Sequence, residues 1–115
     1  MESILTSIKL LLGMPEDYDA YDAHVIMHIN SVFTILRQLG VGPESGFRIE
    51  DKTSTWSDFI DETNDLTYES VKTYIYAKVR LIFDPPTSSS HIKVLEEVVK
   101  EFEFRLNFDA ENKKP

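Results

Sequence analysis

The sequence predicts an all-α fold: a small bundle of about four helices, ending in a helical hairpin and interrupted by an irregular middle loop with a short strand. Three observations lead there. Apolar residues recur at three- and four-residue spacing in four separate stretches. Alternation of apolar with polar residues marks the segment Phe47-Arg48-Ile49-Glu50-Asp51. Glycine and proline gather between the periodic stretches rather than inside them.

The first helix is expected from a Ser3 cap, with Ile4, Leu5, Ile8, Leu11 and Leu12 at helical spacing, Gly13 closing it and Pro15 preventing continuation. The acidic loop PEDYD follows, where Asp17 or Asp19 can cap a second helix that runs to Leu39 and stops at Gly40. At about 20 residues this helix would be roughly 30 Å long. Its stripe is Tyr21, Val25, Ile29, Val32, Phe33, Leu36 and Leu39, while Ile26, Met27 and Ile35 put apolar bulk elsewhere. A helix with apolar bulk on more than one face needs the first helix, or another subunit, to cover the excess.

Residues 41–65 read as a loop insertion. VGPESG has turn chemistry, residues 47–51 read as a short exposed strand, and Trp56, Phe59 and Ile60 can form one helical turn. The single tryptophan has two open readings: a plug on the side of the bundle, or an aromatic anchor for a neighbouring protein. The third helix is expected from a Thr67 cap through Tyr68 to Phe83, with Val71, Tyr74, Ile75, Lys78 (by its stem), Val79 and Ile82 on one face and Tyr76, Leu81 and Phe83 off it. Pro85 and Pro86 end it, because neither has an N–H and the residue before a proline avoids the α region. Thr87 to Ser90 offer caps for a fourth helix whose stripe is Ile92, Leu95, Val99, Phe102 and Leu106, flanked by Val94 and Val98. Residues 1–108 form one domain in this reading, and 109–115 a polar, flexible tail.

Composition narrows the function. A chain of 115 residues with 42% apolar and 28% charged residues is globular and has room for one modest core. Without cysteine there is no disulfide framework, thiolate metal site or cysteine nucleophile. The opening MESILTSIKLLLG lacks a basic n-region, and no apolar run approaches the roughly 20 residues of a membrane span, so a soluble chain of intracellular origin is expected. Twelve basic against 20 acidic residues give a net charge of −8, the wrong sign for gripping phosphates. The excess acid is either a solubility surface or a surface meant to lie beside DNA without holding it.

No motif supports a reaction. His24 and His28 are four apart on one helix face with Asp22 nearby, but HVIMH lacks the glutamate of a zinc-protease motif and offers no third ligand. Asp58, Asp61, Glu62 and Asp65 miss the EF-hand spacing and read as a solvated acidic segment. There is no GxSxG elbow, and GVGPESG has no lysine for a phosphate cradle. Lys72, Lys78, Arg80, Lys93, Lys100 and Arg105 alternate with Glu96, Glu97, Glu101 and Glu103, as in surface ion pairs rather than a phosphate track. The chain is therefore expected to be no enzyme and to need no cofactor or metal. Arg80 and Asp84, four apart at a helix end, are expected to pair there.

The last third of the chain resembles the small head–tail connector (adaptor) proteins of tailed bacteriophages. The matching pieces are the run Lys78-Val79-Arg80-Leu81-Ile82-Phe83-Asp84-Pro85-Pro86, the elbow Thr87-Ser88-Ser89, and Glu101-Phe102-Glu103-Phe104-Arg105-Leu106-Asn107. Upstream the resemblance is one of layout: a short leading helix, an acidic loop, a long helix ending in Leu-Gly and a Trp-Ser-Asp-Phe-Ile turn. It implies a virion subunit, assembled from the host cytoplasm into a dodecameric homo-oligomeric ring below the portal protein. Such a ring extends the channel through which genomic DNA passes without specific binding, involves no membrane, and docks a stopper, head-completion or tail protein. The residues expected at its interfaces are Phe47, Ile49, Trp56 and Phe59 of the middle segment, with Arg80, Asp84, Pro85, Pro86, Thr87, Ser88 and Ser89 of the elbow. Two alternatives stay open: a helical adaptor or regulator outside virions, and a small metal protein using His24 and His28.

Overall fold

The computed structural model describes residues 2–60 and 65–113, and every regular element among them is helical. The order is α1 (Ile4–Leu11), α2 (Asp22–Gln38), the single turn α3 (Trp56–Phe59), α4 (Asp65–Phe83) and α5 (Ser89–Lys113). The Ser3 hydroxyl accepts the Thr6 N–H at 3.2 Å and so caps α1. At the other end Gly13 takes a φ of +85°, and the Met14 N–H reaches back to the Lys9 carbonyl at 2.9 Å.

The connection to α2 is held by a residue that periodicity had not singled out. Lys9 is only 2% exposed, and its ammonium donates to the Asp22 carboxylate at 2.9 Å and to the Glu16 carbonyl at 3.0 Å. That pairing also corrects the expected start of α2. Neither Asp17 nor Asp19 caps it; the N-cap is Tyr21, without a side-chain cap bond, and the acid at the positive helix end is Asp22, already drawn in by Lys9. The helix has 17 residues.

The expected strand at 47–51 is absent. Asn30 on α2 takes both backbone groups of Ile49, accepting its N–H at 2.8 Å and donating to its carbonyl at 2.9 Å. Those groups need no neighbouring strand, and the Ile49 side chain is fully buried. Extended pairing occurs instead as one isolated antiparallel bridge between Ser3 and Thr55, with the Ile4 N–H on the Ser54 carbonyl at 3.0 Å and the Trp56 N–H on the Glu2 carbonyl at 3.3 Å. Thr55 and Asp58 then form a capping box that starts α3. Asp58 thus serves a helix cap, while Asp61 and Glu62 lie outside the described residues.

α4 is described from Asp65, so Thr67 lies within the helix rather than at its cap. α4 is the centre of the molecule, packed by α1, α2 and α5. Its Val71, Tyr74, Ile75, Ala77 and Val79 are buried against Ile4, Ile8, Val25, Ile29, Phe33 and Leu36 from α1 and α2. α5 docks through Leu95, Val99 and Leu106 and runs to Lys113, so residues 109–113, placed in a polar tail by composition, continue the helix. Two bonds fix its register: the Tyr74 hydroxyl donates to Glu103 at 2.6 Å, and the Asn107 amide donates to the Leu39 carbonyl at 3.2 Å. Tyr21 and Ile82, expected in the core, are exposed. Tyr21 precedes the first turn of α2, and Ile82 sits at the outer rim of the α4–α5 seam. No helix among the described residues is long and apolar enough to cross a membrane.

Candidate protein-protein interface

The apolar residues of the middle segment lie inside the subunit. Trp56 is wholly buried; its indole N–H donates to the Ser7 hydroxyl at 3.1 Å and its ring meets Tyr68 edge-on at 5.4 Å. Phe33, Phe47 and Phe59 form a triangle with ring centroids 4.7, 5.0 and 5.2 Å apart. Phe59 is buried, and Phe47 keeps one partly open edge. The fit requires glycine at position 42, where φ is +89° and any Cβ would collide with the Phe59 ring. Trp56 is thus the plug of the two readings, and Ile49 and Phe59 complete the same core.

The elbow is different. Asp84, Pro85, Thr87, Ser88 and Ser89 are exposed and Pro86 is buried beneath them. Arg80 does hold this corner, though not through the Asp84 carboxylate. Its Nε donates to the Asp84 main-chain carbonyl at 2.7 Å, and its other arm reaches the Tyr76 hydroxyl at 3.3 Å. The carbonyls past the last helical residue lack intrahelical partners, which makes that oxygen the nearer acceptor. On the far side Ser88 accepts the His91 N–H at 3.4 Å at the start of α5. The result is an exposed corner held on both sides by side-chain-to-backbone bonds.

Beside it lies an aromatic cluster. Phe83 meets Tyr21 at 5.7 Å and His28 at 6.1 Å, and Tyr21 also meets Tyr18 and His24. The two histidines are therefore ring partners at the α2–α4 seam. Among the described residues no group of three His, Asp or Glu gathers in a way that could hold a metal.

The outer face of α5 was not singled out by the sequence reading, which followed the helix's core stripe. Phe104 is 71% exposed and Phe108 57% exposed, stacked on each other at 6.1 Å, with exposed Val94 further along. Their four-residue spacing on the side away from Leu95, Val99 and Leu106 was the available signal. A second feature is a groove of about 760 Å³ between α2 and residues 45–48, with Ile26, Met27, Phe33 and Phe47 along it. Among the described residues its charged lining is Arg37 and Arg48, with no carboxylate.

Titration shifts arise at three places: where Glu2 meets α4, where Tyr74 meets α5, and in the middle segment at Asp51, whose carboxyl is lowered first by the bond from the Thr53 hydroxyl. Glu2 accepts from the Lys72 ammonium at 2.6 Å and the Tyr68 hydroxyl at 2.8 Å, tying the first residues to α4. The Lys72 bond is the main reason that the Glu2 carboxyl sits below its usual range. Burial works against the Lys72 charge, but the bond to Glu2 and the neighbouring Tyr68 outweigh it and raise its pKa. Tyr74 is raised far above the ordinary phenol value, first by burial and then by its bond to Glu103.

A family model described as phage connector protein matches residues 4–113, and the chain belongs to that family. No curated protein and no solved structure gave a significant match. Membership makes the chain a structural protein of the bacteriophage virion, which assembles with other structural proteins.

Proposed function

We propose that copies of this phage connector close into a ring, dodecameric by the family resemblance, beneath the portal protein. There the ring lengthens the DNA channel and presents a docking face to a head-completion or tail protein. The observation that carries this reading is the placement of the surplus apolar surface. The core is filled, yet large apolar side chains stay exposed on separate elements: Tyr18, Tyr21 and Met27 at the α2 end, Val94, Phe104 and Phe108 along α5. A rotational ring needs two different patches on each subunit, whereas a two-fold dimer needs one self-complementary patch. The exposed elbow residues Asp84, Pro85, Thr87, Ser88 and Ser89 are the points offered to the portal or to the next protein of the stack. Each subunit contributes a net charge of −8, and an acidic lining repels phosphates so that the duplex slides past.

Size-exclusion chromatography with light scattering, over a range of protein concentrations and followed by negative staining, tests the reading. A ring-shaped particle near twelve times the 13.3 kDa subunit, alone or after mixing with portal protein, is expected. A closed two-fold dimer that ignores the portal at every concentration would overturn it.

A further inference from the structure

We propose that the groove between α2 and residues 45–48 docks an acidic, extended segment of a second virion protein, which sharpens the docking role given above by naming the chemistry of what docks. The groove has a direction. A Cβ on Gly46 would stand 3.5 Å from the Arg37 stem, and Ile49 is bonded to Asn30, so residues 46–49 run back along α2. Arg37 therefore marks one end and Arg48 comes between these two points. Met27 lies about one turn beyond Asn30, with Ile26 and Ala23. From Ala23 to Arg37 the helix rises about 21 Å, the reach of about six extended residues.

Charge names the occupant. In a chain of net charge −8, the groove carries two arginines and, among the described residues, no acid. The acids nearest in sequence, Glu44 and Glu50, are exposed, and neither lines the groove or pairs with an arginine. Arg37 spends its Nε on the Glu44 carbonyl at 2.7 Å, and its two terminal nitrogens have no partner among the described residues. Arg48 is half-buried and has no hydrogen bond or ion pair among them. The Ser31 and Thr34 hydroxyls already donate to the Met27 and Asn30 carbonyls at 3.1 and 3.3 Å, so the guanidiniums are the main spare donors. A guanidinium partly withdrawn from water gains more from an incoming carboxylate than a fully solvated one, and its planar fork suits that group. Phosphate has a similar geometry, but a duplex brings a dense row of negative charges against a chain of net charge −8. The apolar stretch of Ile26, Met27 and Phe47 also fits side chains better than a sugar–phosphate backbone. The occupant is thus a peptide with carboxylates opposite Arg37 and Arg48 and an apolar side chain at the Met27 end.

The probe is a blocked, fluorescently labelled peptide of about seven residues that carries two aspartates and, two or three positions on, phenylalanine and leucine. Anisotropy should show saturable binding, and amide shifts in NMR should move at residues 23–37 and 45–48. Arg48→Gln removes no bond of the fold and Met27→Glu changes an exposed residue; each should weaken binding about tenfold or more. Replacing the aspartates with asparagines should do the same, and circular dichroism checks that the helices persist in both variants. No saturable binding up to about 1 mM, or equal binding of the asparagine peptide, would overturn the proposal. A short DNA duplex that displaces the peptide and binds more tightly would overturn it in favour of phosphate. A particle that Arg48→Gln disassembles, with no peptide bound, would give the groove to a second copy instead. Light scattering keeps the two readings apart. A ring without peptide binding removes this inference alone, and peptide binding by a chain that never assembles, with or without portal protein, removes the ring alone.

Discussion

The middle segment and α5 make opposite use of their residues. Residues 41–60 hold one helical turn as their only regular structure among the described residues, yet Ile49 and Trp56 are among the best buried side chains of the molecule and Phe59 is buried with them. α5 is the longest element, with 25 residues, and it leaves two of its three phenylalanines, Phe104 and Phe108, mostly in water. The irregular segment is held from several sides at once: by Asn30, by Ser7 and by the bridge to Ser3. α5 is held along one stripe and by two polar bonds. Regularity of backbone therefore says little about which part is committed to the core. A helix satisfies its own backbone and can leave a whole face free, whereas an irregular chain stays buried only where neighbours satisfy its N–H and C=O groups.

Removing the plug should expose the contrast most sharply. Trp56→Ala deletes a fully buried ring and leaves the Ser7 hydroxyl without its donor, a loss of about 3–5 kcal/mol of unfolding free energy in urea. Asn30→Ala leaves both backbone groups of the buried Ile49 unpaired, and about 1–3 kcal/mol should be lost. Hydrogen exchange should locate that loss in residues 47–51, with the α4–α5 pair unchanged. On the other side, Tyr74→Phe removes one of the two polar bonds of α5 and should cost about 1–2 kcal/mol. Its pH dependence has a definite sign. The folded pKa of Tyr74 is raised, so the bond's contribution is complete below the ordinary phenol value near 10 and is lost as the pH rises above it. Wild type should lose stability between about pH 9 and pH 11 more steeply than the phenylalanine variant. Equal slopes would place the Tyr74 hydroxyl outside the fold's pH response.

The helical stretches, the Ser3 cap, the Gly13 and Gly40 closures and the proline elbow were legible from the sequence because each is a local event, set by residues within one or two turns. What was not legible involves partners distant in the chain. Lys9 reads as a solvent-facing lysine until Asp22 and the Glu16 carbonyl are brought to it, and Asn30 reads as a polar helix residue until Ile49 arrives nineteen positions later. The alternation at 47–51 resembles a strand, but a strand needs a second strand, and the only ladder contact among the described residues lies at Ser3 and Thr55. At the candidate interface, the elbow residues were identified from the chain and lie exposed, apart from Pro86 and the half-buried Arg80. The α5 face was missed because attention to the core stripe treats every residue off it as solvated, although Phe104 and Phe108 are poor choices for water.

The buried Lys9 has a consequence for how the α2 end meets another surface. Its bonds to Asp22 and to the Glu16 carbonyl clamp the ten residues between α1 and α2, and these include Tyr18 and Tyr21. The rings are held before anything touches them, in contact with each other and with Phe83. A surface that is already ordered loses little conformational entropy when it is covered. One internal ammonium thus makes the aromatic end of the subunit a preorganised one, ready to be covered without a folding step of its own.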